Sequence, residues 1–364
     1  MALNSGNSRE IIKDYLDLTS ERPINFFEVR NVCFYGISDV DRPILWKILL
    51  KYLPKDKKKW EARLKEQREC YYQLTHDLIS LPNSPVGEED GYWNILEQID
   101  RDVLRTLPDI SFFQQPIGKS NLYTEYSLRG HRLFKFRQEP EDNVEEKHWH
   151  AFERILFLYS KLNTFIGYVQ GMNELLAPIY FVFANSNDFD DQQYAEADTF
   201  FCFSNLMAEI RDFFIPSMDL DSHSGVHASL QSVMNLLERT DLELFQNMQE
   251  KKLDPVFYCF RWTTVLYTQE FRLPEVMRIW DTLLSDCNRF EFMKYFSCSM
   301  LINIRERLLG GNFDENLNLL QNYPKEIEID TLLHIAYILR QEDYSKSKAT
   351  RFTWGRNFFT ERNK

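Results

Sequence analysis

At 364 residues, 44% hydrophobic and 15% aromatic, the chain has core enough for one large domain or two ordinary ones and is too apolar for disorder. A net charge of −12 argues against nucleic acid as the main partner, because phosphate binding needs a basic face. Only 12 glycines and 13 prolines are available for tight turns, which suits long helices joined by loops.

Residues 1–30 are polar, with one short helix expected over Ile11 to Leu18. Arg42 to Leu53 carries Leu45, Trp46, Leu49, Leu50 and Leu53 at helical spacing, with Pro43 in the first turn. Lys57 to Ile79 reads as a longer charged amphipathic helix, and Leu81 to Asp90 as a loop. Glu88, Glu89 and Asp90 are simplest as a solvated part of it. Asn94 to Leu107 is the next expected helix, stopped by Pro108, with Ile95, Leu96, Ile99, Val103 and Leu107 as its apolar stripe. Residues 137–147 are a charged loop. His148 to Leu162 is a strong helix, and a further helical segment follows Tyr168 and runs through Ala184.

Helical patterns continue over Ala197 to Phe214, Val226 to Arg239, Val256 to Thr268, Glu275 to Leu284 and Glu291 to Leu309. No run of alternating β-branched residues and no fixed-period repeat occurs. The expected fold is an all-α globule in two lobes, parting near 185–195, where Asn185 to Gln193 is acidic. Tyr344 to Lys364 turns basic and aromatic and reads as a tail.

Cysteines at 33, 70, 202, 259, 287 and 298 form no C-x-x-C pair, and no signal peptide opens the chain, so a reduced cytosolic setting is expected. The longest strongly apolar stretch, Leu175 to Ala184, contains Pro178 and is about half of the roughly 20 residues a membrane helix needs. Any membrane association is therefore expected to be peripheral. The tail residues Lys346, Lys348, Arg351, Phe352, Trp354, Arg356, Phe358 and Phe359 have two readings: contact with anionic lipid or a partner, or, favoured of the two, packing on the acidic body or disorder.

Gly118-Lys119-Ser120 lacks the glycine that a P-loop places five residues earlier, since position 113 is Phe. The chain is thus not expected to bind GTP itself. His148 with His150, and His223 with His227, are the close histidine pairs, and neither has ligands at matching spacing, so no metal is expected. No Gly-x-Ser-x-Gly elbow and no Cys/His signature is present.

Asp102 and Arg105, three residues apart on one helix, fit two readings. One is a surface ion pair, favoured on spacing alone. The other is a carboxylate that fixes a guanidinium for phosphate chemistry. Gln170, in Gly167-Tyr168-Val169-Gln170-Gly171-Met172, reads on its own as a loop residue entering a helix.

Taken in order, Arg42 and Trp46, then Ile99-x-x-Asp102-x-x-Arg105, then Tyr168-x-Gln170, closely resemble the three motifs of the TBC (Tre-2/Bub2/Cdc16) domain. That is the catalytic domain of Rab GTPase-activating proteins. Asp254 to Asp281, with Phe260-Arg261-Trp262 and Arg278-Ile279-Trp280-Asp281, is similar to the family's C-terminal subdomain. Other stretches resemble the member-13 subclass, although the segment between the second and third motifs is short for it. The resemblance runs from about residue 33 to 325. It implies an N-terminal extension over 1–32, a TBC domain over 33–325, and a C-terminal helix and tail over 326–364.

It also implies roles. Arg105 matches an arginine finger and Gln170 a glutamine finger that positions water. Asp102 supports the arginine, Tyr168 shapes the glutamine loop, and Arg42 and Trp46 are mainly structural. The chain would need no cofactor of its own, since the GTP and magnesium belong to the Rab. A cytoplasmic protein acting transiently at endomembranes in vesicle traffic is the expected setting. A helical scaffold that docks a Rab without catalysis, and an unrelated helical adaptor, are the competing readings.

Overall fold

The computed structural model describes residues 5–17, 23–79, 90–117, 146–214 and 225–360. Among the described residues there is no strand, only an isolated antiparallel bridge between Pro116 and Lys147, and the fold is all-α. The helices are α1 (Ser5–Leu16), α2 (Phe26–Cys33), α3 (Arg42–Leu49), α4 (Trp60–Ile79), α5 (Asp90–Arg105), α6 (His148–Leu162), α7 (Met172–Ala184), α8 (Phe189–Gln193) and α9 (Ala195–Ile210). They are followed by α10 (Gly225–Thr240), α11 (Leu242–Glu250), α12 (Cys259–Thr264), α13 (Leu273–Ser285), α14 (Phe292–Asn303), α15 (Arg305–Gly310), α16 (Phe313–Gln321) and α17 (Ile329–Thr360).

The chain forms two compact units, residues 1–216 with 276–285, and residues 217–275 with 286–364. The expected parting near 185–195 falls inside the first unit. The acidic segment there, which includes the short helix α8, is tied to neighbouring helices. Asp191 accepts from Lys47 Nζ at 2.6 Å and from Ser186 Oγ at 2.9 Å, and Asp190 pairs with Arg68 at 2.9 Å.

In the first unit, α9 packs on α7, α4 and α6, while α5 packs on α6 and α7. Leu96, Ile99 and Val103 of α5 are buried, as their spacing predicts. The interior also holds charge. Asp198 accepts from Lys47 at 2.6 Å, from Tyr52 at 2.7 Å, and twice from Arg68 at 2.9 Å. Burial pushes the Asp198 carboxyl up, but Lys47 and Arg68 outweigh it and hold the group below its ordinary value. Glu196 accepts from Arg154 at 2.7 and 2.6 Å and from the Tyr71 hydroxyl at 2.7 Å. Such pairs are tolerated in a core because every charge has a partner.

In the second unit, α14 packs on α17, α10 and α12, and α10 also contacts α11 and α12. The middle of α17 is fastened by Arg340 to Asp286 at 3.2 Å and by Tyr295 to Asp343 at 2.9 Å. The segment that reads as a tail from Tyr344 instead continues α17 to Thr360. The side chains beyond residue 345 lie outside the described residues. No described helix is long and apolar enough to cross a membrane.

Several expected helices differ in extent. Arg42–Leu53 stops at Leu49, where Lys51 takes φ 61° and the chain folds back, with Tyr52 N and Leu53 N both donating to Lys47 O. Val256–Thr268 is helical only over Cys259–Thr264, after a short 3-10 turn at Pro255–Phe257. Glu291–Leu309 is two helices that meet at Ile304.

Candidate functional site

Arg105 is the last residue of α5, where the negative end of the helix dipole favours a cation. Its Nη2 donates to Asp102 Oδ1 at 2.5 Å and its Nε to the Arg101 carbonyl at 3.0 Å. The Arg105 side chain is 68% exposed and that of Asp102 only 5%. A buried carboxylate therefore grips one edge of the guanidinium and the rest faces solvent. Nη1 makes no hydrogen bond among the described residues.

Asp102 has a second partner. Its Oδ2 accepts from the Tyr168 hydroxyl at 2.9 Å. Tyr168 is buried, and burial first, then the Asp102 charge, push its hydroxyl well above the ordinary range. It remains a donor at any working pH. Two residues later Gln170 is exposed, and its amide makes no hydrogen bond among the described residues. Gly171 follows at φ 102°, a conformation that favours glycine, and caps α7.

A second link runs beside the first. Asn173 Nδ2 donates to Thr106 Oγ1 at 2.9 Å, and Asn173 Oδ1 accepts from Gly171 N at 3.1 Å. Thr106 in turn donates to the Asp102 carbonyl at 3.0 Å. The end of α5 and the loop entering α7 are thus joined by Asp102–Tyr168 and Thr106–Asn173. The arrangement presents one fixed cation and one free amide, both open to solvent. These are the groups that can stabilise charge on a phosphoryl group and orient a water.

Arg42 and Trp46 lie in a different cluster, centred on Asp281. Trp46 Nε1 donates to Asp281 Oδ1 at 2.9 Å and stacks on Trp280, with ring centroids 5.8 Å apart. Arg42 reaches both Asp281 oxygens at 3.2 Å and the Ile37 carbonyl at 2.7 Å. The Asp281 side chain has no exposed surface, and burial raises its carboxyl against the pull of Arg42. All of these groups are inside the fold, and none reaches Asp102 or Gln170.

His148 Nδ1 meets the Tyr180 hydroxyl at 2.9 Å, and His150 Nδ1 accepts from Lys147 N at 2.8 Å. Among the described residues no three His, Cys, Asp or Glu side chains are grouped to hold a metal. His223 and Gly118-Lys119-Ser120 lie outside the described residues.

Residues 130–309 match the family model described as Rab-GTPase-TBC domain. TBC1 domain family member 13 of Homo sapiens is 39% identical, over 86% of this chain and 94% of its own length. The chain belongs to the TBC domain family. The crystal structure of the Ypt/Rab-GAP domain of Gyp1p, at 25% identity, matches with a TM-score of 0.74 over 93% of this chain and 99% of that one. The Chlamydomonas flagellar RabGAP TBC domain, 17% identical with a TM-score of 0.59 over 92% of each chain, shares the fold. A relative named GTPase-activating protein gyp1, of Schizosaccharomyces pombe, is 26% identical over 87% of this chain and 59% of its own length.

The alignment with the human relative runs over 375 positions yet takes in 86% of this 364-residue TBC chain, so the relative carries stretches that this chain lacks. Two side chains of the TBC site escaped sequence reasoning, Thr106 and Asn173. Each adjoins a motif, and only the folded chain brings them together.

Proposed function

We propose that this protein is a GTPase-activating protein for a Rab GTPase, supplying Arg105 and Gln170 in trans to the partner's bound GTP. The observation that carries the reading is the Asp102 carboxylate, which binds Arg105 with one oxygen and the Gln170 loop, through Tyr168, with the other. A surface ion pair alone would not need the second link. Membership of the TBC family and relatives named as GTPase activators support the same reading.

In the proposed reaction, water attacks the γ-phosphorus, the bond to the β–γ bridging oxygen breaks, and GDP and phosphate leave. The GTP and the magnesium belong to the Rab. Arg105 offsets negative charge as it spreads over the transferring group, worth about 10³ to 10⁵ in rate for an arginine supplied in trans. The amide of Gln170 holds the attacking water by accepting from it and donating to it. Preorganisation matters because a guanidinium already fixed by Asp102 loses little freedom on binding. By shortening the GTP-bound life of a membrane-attached Rab, the protein would regulate vesicle trafficking from the cytoplasm.

Phosphate release from a panel of GTP-loaded Rabs, with and without the protein, tests this. Acceleration of at least one Rab is expected. No acceleration of any, with GTP-bound Rab still captured, would support the non-catalytic scaffold instead.

A further inference from the structure

Phe165 is the most exposed large apolar side chain among the described residues, at 84%. Leu162, before it, and Leu104, beside Arg105, are also exposed. Scattered apolar groups on a surface are ordinary. This one differs in standing on the loop that carries Gln170, between two points where that loop is tied down.

On one side, Asn163 closes α6. Its backbone N and its Nδ2 both donate to the Tyr159 carbonyl, at 3.0 and 2.9 Å. Its own carbonyl accepts from Ile166 N at 3.1 Å and Gly167 N at 2.7 Å. Gly167 sits at φ 66° with open space around it, so glycine serves the backbone turn there and not a close contact. On the other side, Tyr168 is bonded to Asp102. Phe165 therefore stands between two anchors, five residues ahead of Gln170, on the same loop. A rigid aromatic side chain displayed in water loses little entropy on docking and gains much apolar burial.

We propose that Phe165 is a docking residue of this site, inserting into an apolar surface of the GTPase next to its bound nucleotide. The proposal rests on the GTPase-activator reading and extends it to recognition. A contact of this kind is made equally in the bound complex and in the transition state. It therefore sets KM and leaves kcat alone.

The test is steady-state hydrolysis on a soluble, unlipidated Rab that the wild-type protein stimulates, with no vesicles present, so that lipid contact cannot contribute. Phe165→Ala should raise KM about tenfold with kcat within about twofold and an unchanged thermal midpoint. Phe165→Leu should restore part of the loss. An unchanged KM in Phe165→Ala, or a fall in kcat at constant KM, overturns the proposal. If Arg105→Ala abolishes stimulation while Phe165→Ala behaves as wild type, the docking proposal alone falls. If the wild-type protein accelerates no Rab, the parent reading fails and takes this one with it.

Discussion

Tyr168 and Asp102 are 66 residues apart in sequence and 2.9 Å apart in the fold, hydroxyl to carboxylate. Because the other Asp102 oxygen holds Arg105 at 2.5 Å, this bond relates the end of α5 to the loop that carries Gln170. The two proposed fingers thus share one buried support.

Tyr168→Phe removes that hydroxyl and leaves a buried carboxylate short of a donor. A hydrogen bond to a charged group contributes about 1.5 to 3 kcal/mol, and urea unfolding should show a loss of that size. Stimulated kcat should fall by up to about a hundredfold as the Gln170 loop loses its position. Unchanged kcat would separate Tyr168 from the chemistry.

Gly171→Ala places a Cβ on a backbone at φ 102°. The expected cost is about 1 to 2 kcal/mol by chemical denaturation, with kcat reduced as well because the strain falls on the residue after Gln170. A fully stable variant would contradict the observed turn.

Asp281→Asn removes the buried one of the two carboxylates on Arg42 and leaves only the exposed Asp39. Losing one member of a buried pair typically costs about 3 to 5 kcal/mol. The protein that remains folded should keep wild-type kcat, because Arg42, Trp46 and Asp281 support the fold. A variant of normal stability but low kcat would instead place this cluster in the catalytic machinery.

The α-helical character and the positions of most helices were legible from apolar spacing, which burial enforces directly. The Asp102–Arg105 pair was legible for the same reason, being local. Its bond to Tyr168 was not, since nothing in spacing connects position 102 to 168. The interruption after Thr264 was also hidden. Leu266 and Tyr267 take φ 48° and 67°, and the Tyr267 hydroxyl is buried against Met293 O at 3.0 Å and Ser297 Oγ at 2.8 Å. Tertiary anchoring overrides helix propensity there. The parting of the units near 216 was masked by the acidic composition of 185–195, which marks ion pairs with Lys47 and Arg68 and no linker.

His148 gives a pH signature. It stacks on Phe112 at 4.2 Å, and burial lowers its pKa from 6.5 to about 4. The folded protein keeps the ring neutral, whereas the unfolded chain takes up a proton near 6.5. The His148 contribution to stability is therefore complete above about pH 6.5 and is lost as pH falls toward 4. NMR titration of the ring should give a midpoint near 4, and one above 6 would contradict the buried placement.

The role of Arg105 stands or falls with the stimulated kcat of Arg105→Lys on a responsive Rab. Lysine keeps the charge and lacks the planar fork that both Asp102 and a phosphate can grip. A folded protein whose stimulation drops by about 10³ or more is expected. A kcat within about tenfold of wild type would contradict it.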